Sequence, residues 1–273
     1  TAGGAKRGKR PREVIDHYLQ EAGVAPERAE TLRALETAAL ARAARVIVTS
    51  PTTARTLVAD FAVPADRITV AVPGTDPAAR ATGSGGADGK VALLAVGSIV
   101  PRKGYDVLVR ALAADTADHA TAWTLRIVGA IDRNPATVTA LRDQIVASGL
   151  GDRIDIVGPM SREQLDRCYD RADVFVLSSH YEGYGMVLAE ALARGLPIVT
   201  TTGGAAAETV PDGTALKVAP GDAEALRQAL RQLIDDRALR RRLADAAWHA
   251  GQTLQRWSDS AALIAETIKE AQR

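Results

Sequence analysis

From Val91 to Thr200 the chain alternates short, largely apolar runs with stretches of helical spacing, and this alternation restricts its fold more than any other feature. The apolar runs are Val91–Val96, Thr124–Val128, Ile154–Val157 and Asp173–Leu177, and Pro197-Ile198-Val199-Thr200 begins another. Helices are predicted over Tyr105 to about Ala114, from near Ala136 to Ala147, over Arg162 to Arg171, and from the loop after Leu177 to near Gly195. A run without polar alternation suits a strand covered on both faces. Such strands joined by helices predict an α/β protein with a doubly wound, Rossmann-like parallel sheet. Leu216-Lys217-Val218 fits a short edge strand. From Asp222, a candidate N-cap, the chain reads as helical, with Leu226, Leu230, Leu233 and Ile234 forming an apolar stripe. Trp248 and Trp257 are expected to anchor the final helices by burying large rings.

The N-terminal part is less complete. Glu13 to about Arg45 reads as mainly helical, broken and restarted at Ala25-Pro26-Glu27. Val46–Ser50 then fits a strand, Thr52 to about Phe61 a helix, and Ile68–Val72 a second strand ending at Pro73-Gly74. This β-α-β unit is too small to be a doubly wound domain and reads as the end of one whose earlier strands are absent. The small, flexible residues between Ala79 and Gly89 have linker composition. The expected division is therefore a partial unit over 1–80, a linker over 81–89 and the main domain over 90–273. Thr1 to Arg12 is glycine-rich and basic; it fits a flexible arm, open to contact with an anionic membrane surface or an acidic partner, or simply solvated.

Composition removes several classes of function. A formal net charge of +1 over 273 residues gives no global reason to expect nucleic acid binding. A single cysteine, Cys168, allows no intramolecular disulfide framework and no cysteine cluster for zinc, so a reducing cytoplasm is the simplest setting. There is no apolar run of roughly 18 residues and no signal-peptide core, so neither a membrane span nor secretion is expected.

Two loops carry the candidate chemistry. The run Asp173–Leu177 leads into Ser178-Ser179-His180-Tyr181-Glu182-Gly183-Tyr184-Gly185 and then a good helix former. A loop at the carboxyl end of a central strand, opening a helix, is where open α/β sheets bind ligands and where free N–H groups meet anions. The other loop, Gly97-Ser98-Ile99-Val100-Pro101-Arg102-Lys103-Gly104, follows the first strand of the main domain and holds two adjacent cations between glycines. Arg102 offers a planar fork and Lys103 a mobile point charge to phosphate oxygens. Neither loop is a Walker motif, and no Gly-x-Gly-x-x-Gly fingerprint lies between a strand and a helix. Seven residues separate Glu182 from Glu190. A carboxylate accepts paired hydrogen bonds from neighbouring hydroxyls, so one acid can hold a ribose while the other meets a sugar.

Taken in order, Gly97 to Gly104, Glu182 to Glu190 and Gly203-Gly204-Ala205-Ala206-Ala207-Glu208 resemble the donor-nucleotide domain of retaining glycosyltransferases of family four, which have the GT-B fold. The resemblance covers about residues 45 to 270. It implies that Glu190 binds the nucleotide ribose, that Glu182 lies near the donor sugar's hydroxyls, and that Lys103 faces the diphosphate. Backbone N–H groups of Gly183, Tyr184 and Gly185 would add to the anion site or touch the sugar, beside the Gly97–Ser98 turn. The family often places Arg immediately after the first glycine, where this chain has Ser98; Arg102 is then the candidate substitute.

The resemblance implies transfer of a sugar from a UDP- or GDP-linked donor to an acceptor hydroxyl with the anomeric configuration kept, with no cofactor and no metal. Glu182, Lys103 and Arg102 are the candidate catalytic groups. The acceptor is unspecified, and the acceptor side is largely missing from a partial unit over 1–80. Three readings follow: a truncated glycosyltransferase, a donor subunit whose acceptor half comes from a partner chain, and a noncatalytic sugar-nucleotide-binding module. His180 beside the cleft suits either acid–base work or a structural hydrogen bond, and Cys168 suits packing or nucleophilic chemistry.

Overall fold

The structure, a computed structural model, describes residues 25–85, 89–114 and 122–272. The basic arm, the first part of the Glu13–Arg45 segment and the centre of the 79–89 segment lie outside these residues.

The N-terminal unit runs through α1 (Pro26–Arg42), β1 (Val46–Val48), α2 (Pro51–Phe61), a one-turn 3-10 helix (Ala65–Arg67) and β2 (Ile68–Val70). β1 and β2 pair in parallel as a two-stranded sheet. The first strand stops two residues short of Ser50 because that residue turns to cap α2: its Oγ accepts from the Thr53 N–H at 3.1 Å. Pro51 then occupies the first helical turn, where no amide hydrogen is needed.

The main sheet contains β3 (Lys90–Val96), β4 (Ala122–Val128), β5 (Ile154–Gly158), β6 (Val174–Leu177), β7 (Ile198–Thr201) and β8 (Ala215–Val218). All pairings are parallel, as the apolar alternation predicts, and the strand order is β5-β4-β3-β6-β7-β8. The connecting helices are α3 (Tyr105–Ala113), α4 (Pro135–Ala147), α5 (Arg162–Arg171), α6 (Met186–Ala193) and the single turn α7 (Ala206–Thr209). Successive residues of β3 point to opposite faces. Leu93 and Ala95 join the core beneath α3, α4 and α8 (Ala223–Asp235), whereas Leu94 and Val96 join Phe175, Leu177 and Leu188 on the other face. Asp222 caps α8 by accepting from the Ala225 N–H at 2.9 Å.

Strand order reverses between β3 and β6, since the chain leaves β3 toward β4 and β5 and later returns to its other side. That reversal opens a crevice at the carboxyl ends of β3 and β6. It sets the loops after Val96 and after Leu177 side by side, although about eighty residues part them in sequence.

Two helices close the molecule. α9 (Arg237–Gln252) lies against α6, where a side chain at Gly251 would meet the Leu192 carbonyl at 2.3 Å. α10 (Trp257–Ala271) returns to the N-terminal unit: Ser260 Oγ donates to the Val72 carbonyl, and Thr267 lies 3.3 Å from the Thr69 hydroxyl. Trp257 departs from its expected buried role. Its backbone packs on Gly74, while the residue stays 48% exposed; the indole buried in the core is Trp123, at 1%. The small residues of the 79–85 segment lie along the body, with Ala81 N–H bonded to the Arg194 carbonyl at 2.9 Å and Gly83 N–H to the Asp170 carbonyl at 2.8 Å. No helix among the described residues is long and apolar enough to cross a membrane.

Candidate functional site

The first loop reaches the crevice through a one-turn 3-10 helix, Pro101–Lys103, which ends on Gly104 in the left-handed region at φ 60°. A Cβ on Gly104 would sit 2.4 Å from the Ser178 carbonyl, so glycine allows the two loops to touch. They are then stitched together: His180 N–H donates to the Arg102 carbonyl at 2.8 Å, and Ser178 Oγ to the Lys103 carbonyl at 3.0 Å. Gly97 leaves space for the lysine stem, since a Cβ there would lie 3.0 Å from Lys103 Cε; its carbonyl accepts from the Tyr105 hydroxyl at 2.9 Å. Ser98 follows half-buried.

At the centre is a buried ion pair. Lys103 Nζ lies 2.6 Å from Glu182 Oε1, with side chains only 10% and 8% exposed. Ser179 Oγ donates to the same carboxylate oxygen at 2.6 Å, and Arg102 Nη1 approaches Oε2 at 3.3 Å while also donating to the Tyr181 carbonyl. Burial by itself would raise the Glu182 pKa, but Lys103, with Ser179 and Arg102, outweighs it and holds the carboxyl below its usual range. The Tyr105 hydroxyl nearby is pushed up by burial and by the Glu182 charge. An ammonium carries three donors. The single bond to Glu182 thus leaves Lys103 able to meet a second anion.

Backbone contacts hold Glu182 in place. It bridges Gly204 in parallel, its N–H donating to the Gly203 carbonyl at 3.2 Å and its carbonyl accepting from Ala205 N–H at 2.7 Å. A Cβ on Gly203 would lie 2.2 Å from the His180 carbonyl, and one on Gly204 2.2 Å from the Glu182 carbonyl. The glycine pair therefore permits the extra strand-like contact that carries the acid. Thr209 Oγ1 donates to the Tyr184 carbonyl, and burial raises the Tyr184 hydroxyl. Gly185, at φ 91°, starts α6. Gly183 is half-buried, its carbonyl 3.5 Å from Thr49 Oγ1.

Glu190 sits just over one turn into α6 in a different setting. Its Oε2 accepts from the Tyr169 hydroxyl at 2.8 Å, and Arg194 Nη1 donates to its backbone carbonyl at 3.1 Å. Tyr169 is fully buried, stacked on Phe175 at 5.8 Å and covered by the Arg194 guanidinium at 4.5 Å. Burial first, then the Glu190 charge, pushes the Tyr169 hydroxyl well up, so it remains a hydrogen-bond donor.

The structure thus brings Arg102, Lys103 and Glu182 together, and supplies Ser179 and Tyr169, which sequence reasoning did not identify as site residues. Among the described residues no hydrogen bond or ion pair joins Glu190 to the Lys103–Glu182 cluster. Ser179 carried a faint signal, a serine beside the acid at the end of a buried strand. Tyr169 carried none, because its contact crosses from α5 to α6. The N-terminal unit also reaches this end of the sheet: Glu208 accepts from Thr52 N–H at 3.1 Å and pairs with Arg55. Cys168 lies 3.6 Å from the Met160 sulfur in a packed setting. No group of three or more metal-ligating side chains occurs among the described residues.

A doubly wound sheet of this topology, with its site at the switch between β3 and β6, has the architecture of GT-B glycosyltransferases. Two solved structures share it. Sucrose-phosphate synthase from Thermosynechococcus elongatus superposes with a TM-score of 0.78 at 29% identity, covering 92% of this chain and 64% of that one. Anabaena HepE in complex with UDP-glucose gives 0.79 at 23% identity, over 90% and 70%. The chain belongs to the family described as glycosyl transferases group 1, whose model matches residues 82–249. Among curated relatives, mannosylfructose-phosphate synthase of Agrobacterium fabrum is 31% identical over 227 residues, 78% of this chain and 50% of the relative. D-inositol 3-phosphate glycosyltransferase of Thermobispora bispora is 31% identical over 242 residues, 83% of this chain and 56% of the relative. The chain spans about half the length of these relatives.

Proposed function

We propose that this chain is the donor-binding part of a retaining glycosyltransferase, taking a sugar from a UDP- or GDP-linked donor to an acceptor hydroxyl. The observation that carries the reading is the cationic pair Arg102–Lys103 held against a buried Glu182 at the switch point of a sheet of this family. In this reading the diphosphate lies over Lys103 and Arg102 near the start of α6, Glu182 meets the sugar, and Glu190 the ribose. Backbone N–H groups around Gly183, Tyr184 and Gly185 add donors, with Gly97 and Ser98 forming the facing turn. The protein's main catalytic contribution is stabilisation of the departing diphosphate, and one such donor is commonly worth about 10²-fold or more in rate. A donor phosphate oxygen can take the acceptor's proton, so no protein base is required.

The division into an acceptor-side unit over 1–80, a linker over 81–89 and a donor domain over 90–273 belongs to the same proposal, as does cytoplasmic residence. The relatives' names point first to phosphorylated sugar or inositol hydroxyls as acceptors.

Calorimetry with UDP- and GDP-linked sugars, without added metal, tests donor binding; Lys103→Ala and Glu190→Ala should each weaken it. Folded protein that binds no common sugar nucleotide would overturn the assignment. Diphosphate release on adding acceptor then separates a transferase from a binding module.

A further inference from the structure

A second concave site lies at the opposite end of the main sheet. There the amino ends of β3, β6 and β7, the 80–85 segment and the first half of α9 line a half-open cavity of about 530 Å³. Arg80, Lys90, Arg237, Arg240 and Arg241 line it, with Asp173 as the one carboxylate among the described lining residues. The whole chain carries a formal charge of only +1, so this is a strong local excess.

The fold does not use up that charge. Asp173 is engaged by backbone donors, Oδ1 accepting from Ser84 N–H at 3.1 Å and Oδ2 from Ala92 N–H at 2.8 Å. Arg80 pairs with Asp245 at the rim. Arg240 is half-buried and immobilised, its Nη1 donating to the Leu233 and Ile234 carbonyls at 2.6 and 2.7 Å, which leaves its other guanidinium donors available. Burial lowers the Arg240 pKa, Arg237 lowers it further, and Asp173, Asp236 and Asp235 oppose the shift. The side chains of Lys90, Arg237 and Arg241 have no hydrogen bond or ion pair among the described residues. Arg237 and Arg240 also stand near the positive end of the α9 dipole, where a cation disfavours the helix. Arg240 is accounted for in part by its bonds to the last carbonyls of α8, whereas the stability of α9 does not explain the placement of Arg237.

We propose that this cavity is a binding site for a small polyanion carrying two or more phosphate groups, separate from the donor site. A fixed arginine at the wall and mobile cations around it suit several phosphate oxygens at once, and the volume falls in the usual range for small-molecule sites. A concave shape favours a compact soluble ligand over a flat anionic membrane surface.

Inorganic pyrophosphate is the probe, titrated into ¹⁵N-labelled protein at physiological salt and followed amide by amide, which locates the binding. Saturable shifts at Lys90, Arg237, Arg240 and Arg241 are expected, and Arg237→Ser/Arg241→Ser should weaken them at least tenfold. Among the described residues neither side chain has a hydrogen bond or ion pair to lose, so that variant should retain the wild-type spectrum elsewhere. Shifts confined to residues 97–104 and 182–190 would overturn this site while supporting the donor site, and absence of saturable shifts at α9 would also overturn it. Arginine-dependent sedimentation with phosphatidic acid vesicles, without pyrophosphate binding at α9, would assign the patch to a membrane and refute the small-ligand proposal.

Discussion

Replacing Lys103 by methionine keeps most of the aliphatic stem and removes the charge that neutralises Glu182. The carboxylate would remain in a setting where its residue is 6% exposed, with Ser179 still bonded to it and Arg102 at 3.3 Å. Removing one partner of a buried pair commonly costs about 3–5 kcal/mol. The remaining Arg102 places this case near the lower end, at about 3 kcal/mol. For a chain of this size that corresponds to a fall in Tm of roughly 6–12 °C. The effect should depend on pH in a definite direction. Glu182 has a depressed pKa in the folded protein, so its contribution is present above the ordinary carboxylate range and is lost as pH falls through the folded value. Without Lys103 the carboxyl takes up its proton at higher pH. The gap between variant and wild type should therefore be largest near neutrality and narrow in acid. Adding Glu182→Gln to Lys103→Met should restore much of the loss, because no unpaired charge remains. Urea unfolding at neutral and acidic pH provides the measurement. A Lys103→Met stability within about 0.5 kcal/mol of wild type at neutral pH, the size of an ordinary surface change, would refute a buried, mutually dependent pair.

Tyr169→Phe removes the hydroxyl that donates to Glu190 and leaves the stacked ring in place. Nucleotide affinity should fall about tenfold, as expected for a hydrogen bond to a charged group; unchanged affinity by calorimetry would exclude Tyr169 as a positioning residue for Glu190. Gly203→Ala would place a methyl 2.2 Å from the His180 carbonyl. It should cost about 1–3 kcal/mol through forced backbone movement and shift the Glu182 segment, seen as a lower urea midpoint together with weaker donor binding. A wild-type midpoint would show that the loop relaxes freely.

The layer order was legible in sequence because Val91–Val96 and Val174–Leu177 are apolar throughout, and short runs of this kind suit strands covered on both faces. Asp222 announced the start of α8, and Leu226, Leu230, Leu233 and Ile234 its buried face, through local rules that need no partner. Trp257 was misread because ring size says nothing of where a helix end falls; its backbone, rather than its indole, makes the close approach to Gly74.

The sequence by itself determined which residues carry charge near phosphate-suited loops: Arg102, Lys103, Glu182 and Glu190 stand in spacings set by local chain chemistry. Only the tertiary structure decided how they are used. Strand order between β3 and β6 brings Lys103 onto Glu182, and the α5–α6 contact gives Glu190 to Tyr169. The physical reason is the range of the interactions. Hydrophobic periodicity and capping act over a few residues, whereas a buried ion pair depends on desolvation and on a neighbour 79 positions away in the chain.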